Sequence, residues 1–243
     1  MPSDGSKPLQ EPLYPPAAAP DVAPFDDSLA QRLRGFGPLG IVAILVILFG
    51  NALLVPLSAI LVLLWVWRSR TPWREVGFVR PKNWARTLAL GFVFGALFKL
   101  VMKAIVMPLL GAPPINQAFQ FLVGNPDALP QILYLVLVGA AFGEEMIFRG
   151  YAFERFGKLF GSTFWAKALI VLITAVWFGW EHNSLQGIPG VQQATIVGLV
   201  FGTIFAVTGR LWMLIIAHAA FDLTAVAIIY WNLESEVAHL IFK

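Results

Sequence analysis

Residues 131–149 read QILYLVLVGAAFGEEMIFR. Nothing from Ile132 to Gly143 is charged, and then two adjacent carboxylates, Glu144 and Glu145, and a guanidinium, Arg149, arrive on the same run. The run is apolar on every face, and with no apolar/polar alternation it reads as a membrane helix rather than a barrel strand. In hydrocarbon each backbone polar group must be satisfied within its own segment, which excludes an open sheet. The whole chain agrees: 58% of its 243 residues are hydrophobic and only 13% are charged, about half the charge of a soluble domain. Its mean hydropathy is +0.74. Such a chain cannot cover a water-facing surface. The absence of cysteine excludes a disulfide framework, a thiolate zinc site, an iron–sulfur cluster and a cysteine nucleophile together. The net charge of +3 fits basic loops of a membrane protein, and no nucleic-acid partner is expected.

Outward from this stretch, apolar runs recur at 37–67, 87–110, 163–180, 191–208 and 211–231. The expected fold is all-α: a polytopic membrane bundle of six to eight transmembrane helices around a buried polar site. The 37–67 run is long for one ~30 Å crossing and short for two. It reads equally as one helix kinked at Pro56 or as a hairpin, and arginines at both ends (Arg32, Arg34; Arg68, Arg70) favour the hairpin. Arg68, Arg70, Arg74, Arg80, Lys82 and Arg86 mark a cytoplasmic loop, Arg149, Arg155, Lys158 and Arg210 mark further cytoplasmic turns, and 111–130 has no Lys or Arg, as an external loop should. Trp65, Trp67, Trp84, Trp165, Trp180, Trp212 and Trp231 lie near run ends, as interfacial belts do. Residues 1–30, rich in proline and acids, read as a disordered, solvated tail without the pattern of a cleaved signal.

The informative residues are those that hydrocarbon should exclude. An ionisable side chain at bilayer depth costs at least ~2.5 kcal/mol, so it implies function. Glu145 and Arg149 are spaced i,i+4, acid first, the better order for an ion pair within a helix, which leaves Glu144 about 100° around. His218 and Asp222 have the same spacing, so the carboxylate could fix the imidazole tautomer. If the third crossing enters at Pro130 and stays helical to Phe160, Glu144 lies ~9 Å from the inner surface and the helix protrudes ~15 Å beyond it. The next helix must climb back, leaving His182 ~15 Å deep, and His218 comes out ~11 Å deep. All three converge in the cytoplasmic half, provided 183–190 breaks the helix around a cavity. Lys99 and Lys103, also i,i+4, read as snorkelling or gap-facing side chains, with an anionic substrate group as their other possible partner.

A glutamate in such a site can take a proton from water and return it to a leaving group, which suits hydrolysis. Two imidazoles can ligate a metal, polarise a carbonyl or stabilise an oxyanion, and residue types do not separate these roles. There is no His-Glu-x-x-His, no Gly-x-Ser-x-Gly and no pair of membrane aspartates, which disfavours zincin, serine and aspartyl chemistry.

At these residues the sequence resembles the CPBP (CAAX protease and bacteriocin-processing, Abi) intramembrane proteases, which include the type II CAAX prenyl endopeptidases. Glu144-Glu145-x-x-x-Arg149, Phe178-x-x-x-His182 and His218-x-x-x-Asp222 are similar to that family's three motifs, in the same order. The likeness covers about 73–230, including weakly the Val76-Gly77-Phe78 loop. The resemblance implies that Glu144 activates water, that His182 assists it or holds a metal, and that His218 with Asp222 stabilises the oxyanion or completes a metal site. Glu145 and Arg149 would support them. Asp222 departs from the usual Asn, which favours orienting the histidine or supporting a metal over oxyanion donation. The implied cofactor is a divalent metal such as zinc, held by His182 and His218 with Glu144, with a metal-free mechanism equally open.

The expected organisation is a tail (1–30), N-terminal membrane segments with a basic loop (31–72), a protease core (73–231) and a C-terminal tail (232–243). The expected partners are membrane lipid and a peptide or protein substrate at the cytoplasmic face of a bacterial inner membrane. The rival readings are a non-enzymatic membrane regulator or scaffold and a proton-coupled transporter; the transporter would favour inverted repeats, and none is visible.

Overall fold

A computed structural model describes residues 25–242. The expected disordered tail lies mostly outside the described residues, but its last part is ordered: a helix, α1, runs Phe25–Arg34. Within the 37–67 run the chain forms two twelve-residue helices, α2 (Pro38–Phe49) and α3 (Leu57–Arg68). Pro38 opens α2 where its missing N–H is harmless. At the tip, Asn51 and Ser58 exchange bonds, each backbone N–H donating to the other's side-chain oxygen at 2.9 Å. Polar groups that water cannot reach are thus satisfied by the hairpin itself. Its open ends are tied together: Arg34 donates to the Ser69 and Arg70 carbonyls, and Trp65 Nε1 donates to the Leu33 carbonyl at 3.0 Å. Trp65 is therefore a core residue, packed edge-on against Tyr151, rather than part of an interfacial belt.

Among the described residues, five helices are long and apolar enough to cross a membrane: α4 (Trp84–Leu109), α5 (Pro126–Phe160), α6 (Phe164–Glu181), α7 (Asn183–Thr208) and α8 (Trp212–Tyr230). A sixth crossing exists if Ser28–Arg34 and Pro38–Ala52, bent by 59°, count as one span. The architecture is an all-α polytopic bundle at the low end of the expected range, because α2 and α3 are each too short for a full crossing. At 35 residues, α5 is about 52 Å long and outreaches a ~30 Å hydrocarbon layer. It is wound as π-helix over Leu135–Glu144 and Met146–Tyr151, a geometry frequent at functional sites.

Glycine sets how closely the helices approach. A Cβ at Gly95 of α4 would sit 2.0 Å from the Ala217 carbonyl oxygen of α8, and one at Gly179 of α6 would sit 2.0 Å from Thr195 Oγ1 of α7. Small residues at such contacts are how membrane helices gain packing without a hydrophobic drive. The basic loop is anchored too, since Leu211 N–H donates to the Gly77 carbonyl at 2.9 Å, which puts that loop and the α7–α8 turn at one end. Phe92, Leu97, Leu172, Val176 and Val207 are exposed on the outside, facing lipid in a membrane.

The segment 232–243 is more than a tail. Residues Glu234–Ala238 form a short helix, α9, with Glu234 buried. Lys103 reaches Glu234 Oε1 at 2.7 Å, the Asn116 backbone N–H donates at 3.1 Å, and Gln120 Nε2 donates to the other oxygen at 2.8 Å.

Candidate active site

Glu145 is the hub of the site. Completely buried, its Oε1 accepts from Arg149 Nη1 on its own helix at 2.8 Å and from His218 Nδ1 on α8 at 2.8 Å. The i,i+4 pair expected from spacing is present. Arg149 is enclosed as well, with its guanidinium carbon 4.6 Å from the Phe178 ring centre and 5.6 Å from that of Phe201. Each aromatic face offers a buried cation a further favourable contact.

His218 is oriented differently from expectation. Asp222 does not fix its tautomer by holding one nitrogen clear of the site: Glu145, from the neighbouring helix, takes Nδ1. Asp222 Oδ2 instead lies 3.5 Å from Nε2, the same nitrogen that faces Glu144 Oε2 at 3.8 Å. Spacing along one helix could not reveal a partner supplied by another. The imidazole is further walled by Phe178 and Phe201, at 6.2 and 5.9 Å between ring centres.

Glu144 and Asp222 keep 28% and 25% of their side chains exposed, whereas Glu145 has none. Of the two adjacent carboxylates, one is locked in structure and the other is partly exposed, though its Oε2, the atom that faces His218, is itself buried. Glu144 Oε2 has no hydrogen-bond partner.

His182 sits at the end of α6, where the helix breaks into a turn before α7. Its Nδ1 donates to the Phe178 carbonyl at 2.9 Å, and its ring packs edge-on against the Phe178 ring, 4.9 Å between centres. Gly187 adopts φ +61°, a non-helical conformation within 183–190, where the depth argument required a break. Phe178 thus touches His182, His218 and Arg149 together, so the three motifs meet around one aromatic ring.

The two lysines do not snorkel. Lys103 is neutralised by Glu234, while Lys99 donates to Gln193 Oε1 on α7 at 3.0 Å and lies 4.9 Å from the centre of the Phe221 ring. Glu234 and Gln193 escaped sequence reading. An acid just past the last apolar run was the available signal for Glu234, and nothing local marked Gln193.

The divalent metal implied by the resemblance needs a converging ligand set. Among the described residues no group of three His, Asp or Glu side chains is arranged to hold one, so the donors do not fit a metal.

Residues 126–224 match the family model for the Rce1-like type II CAAX prenyl endopeptidases. That stretch, less than half of the chain, is similar to those proteases. The matched stretch contains all seven motif residues from Glu144 to Asp222, but the Val76-Gly77-Phe78 loop and everything before α5 lie outside it. No curated protein and no solved structure matches the chain.

Proposed function

We propose that the protein is an integral-membrane endopeptidase that hydrolyses a peptide bond of a membrane-associated protein or peptide, in CAAX-type or related processing, near the cytoplasmic surface. The observation that carries this reading is the division of labour between adjacent carboxylates: Glu145 ties Arg149 and His218 together, and Glu144 stays accessible opposite His218 Nε2. The family match supports it. The basic loops support the orientation.

In this mechanism Glu144 takes a proton from water, the resulting hydroxide attacks the scissile carbonyl, and Glu144 returns the proton to the leaving nitrogen. His182, held through Nδ1, presents its Nε2 edge to the water. His218, held through Nδ1 by Glu145, acts as the imidazolium, and its Nε2–H rests toward Asp222 until the tetrahedral oxyanion forms and accepts it. Asp222 thereby has a role that the usual Asn would fill differently.

Purified protein in detergent should cleave a membrane peptide, and Glu144→Ala and His182→Ala, each still folded by thermal unfolding, should lose at least ~100-fold of that activity, the lower range for a positioned acid–base group. Unchanged cleavage in both variants would sink the assignment. Elemental analysis with chelator titration tests the metal-free mechanism: full activity without bound metal is expected, and loss that zinc restores would overturn it.

A further inference from the structure

An open groove of about 520 Å³ is lined by none of the motif residues. Its volume falls within the range of small-ligand pockets, and its wall is aromatic. Trp73, Phe78, Trp212 and Trp84 follow one another edge to face, with successive ring centres 5.7, 5.2 and 5.4 Å apart. Leu63 of α3 and Phe142 of α5 complete the lining. The loop side of the groove is fixed to the helix side, because the Leu211 N–H, just before α8, donates to the Gly77 carbonyl at 2.9 Å. Of the lining residues Arg80 alone is charged, and it is exposed. The groove therefore joins one cation to an apolar slot.

Its position restricts the occupant. Trp84 and Trp212 are the first residues of α4 and α8, at the basic end, where Arg74, Arg80, Lys82 and Arg86 stand against a single acid, Glu75. Leu63 lies five residues before the end of α3, about 7.5 Å along the helix axis. The groove thus begins where tryptophan and arginine meet lipid headgroups and continues toward the acyl chains. Leu64 and Trp67 on α3 and Leu88 on α4 are exposed near it, on surfaces that face lipid in a membrane. A water-soluble anion would leave the aromatic slot wet, and a lipid without net charge would leave the Arg80 cation uncompensated. A phospholipid with net negative charge matches both parts.

We infer that this groove binds one anionic phospholipid, its phosphate on the Arg80 guanidinium and the first part of an acyl chain against Trp73, Phe78, Trp84 and Trp212. The inference concerns binding alone and is independent of the endopeptidase reading.

The test titrates the full-length protein in detergent micelles with dioleoylphosphatidylglycerol or dioleoylphosphatidylcholine and counts lipid adducts by native mass spectrometry. The wild type should bind the anionic lipid roughly 10-fold or more tighter than the zwitterionic one, the scale of one hydrogen bond to a charged group. Arg80→Gln should bring that ratio near one, Arg80→Lys should retain most of it, and Arg74→Gln, on the same loop but outside the groove, should leave it unchanged. Trp84→Ala should weaken both lipids alike, because it removes apolar wall and no charge. Thermal unfolding checks that each variant is folded.

A wild-type ratio near one, or no anionic adduct at all, would overturn the proposal and leave ordinary boundary lipid. Equal losses in Arg74→Gln and Arg80→Gln would also overturn it, since they would mark a diffuse basic face and no built site. Inorganic phosphate and a soluble acidic peptide, each added in excess, should fail to displace the bound lipid; displacement by either would give the groove a different occupant and overturn the inference.

Discussion

At the scale of single residues, the proposed division of labour leaves a buried carboxylate to hold the structure and a partly exposed neighbour to do chemistry. Glu145 accepts from both Arg149 and His218 with one oxygen. Glu145→Gln removes the negative charge but keeps the shape, leaving Arg149 buried without a counter-ion. Breaking a buried pair costs about 3–5 kcal/mol, so we expect a clear fall in thermal unfolding temperature together with loss of peptide cleavage. Glu144→Gln should abolish cleavage with little change in unfolding temperature, because Glu144 Oε2 has no hydrogen bond to lose. The two variants, compared by the same pair of assays, separate the supporting carboxylate from the acting one. That Glu144, Glu145, Arg149, His218 and Asp222 stand out was legible beforehand, since they interrupt runs that should contain no ionisable groups. Their pairing was only half legible: Glu145 with Arg149 follows from helix spacing, but Glu145 with His218 depends on how α5 and α8 are rotated against each other.

At the scale of elements, α8 is held at the depth where His218 meets Glu145 by its contact with α4, and that contact depends on the absence of a side chain at Gly95. A Cβ there meets the Ala217 backbone rather than a movable side-chain end. Gly95→Val should therefore destabilise by at least about 1–3 kcal/mol, the usual range for overpacking, measured by thermal unfolding in detergent. Cleavage should fall with it, because Ala217 precedes His218. The α2–α3 hairpin was an open question for sequence reading, and the reciprocal Asn51–Ser58 bonds show what settles it: a turn with its own partners for polar groups. The docking of α9 was missed because the pairing of Glu234 with Lys103 joins residues 131 positions apart. Glu234→Gln should loosen α9, seen as faster hydrogen exchange in 232–240.

At the scale of the whole molecule, the proposed orientation is testable because the chain has no cysteine of its own. Arg74→Cys and Asp127→Cys, made singly, should react with a membrane-impermeant thiol reagent from opposite sides, position 74 only when the cytoplasmic face is open and position 127 from outside. Reaction of both from one side would refute the topology and the cytoplasmic placement of the site. By itself the sequence determined the class, the run boundaries, the basic end and the ionisable set, because bilayer thickness, helix rise and the cost of burying charge act on each segment separately. The tertiary structure alone decided that Glu145 rather than Asp222 orients His218, that Lys103 pairs with Glu234 while Lys99 bonds Gln193, and that the segment after α8 returns to the bundle. Those outcomes depend on axial offset and rotation between helices, which glycine contacts such as Gly95 against Ala217 fix, and which no single helix encodes.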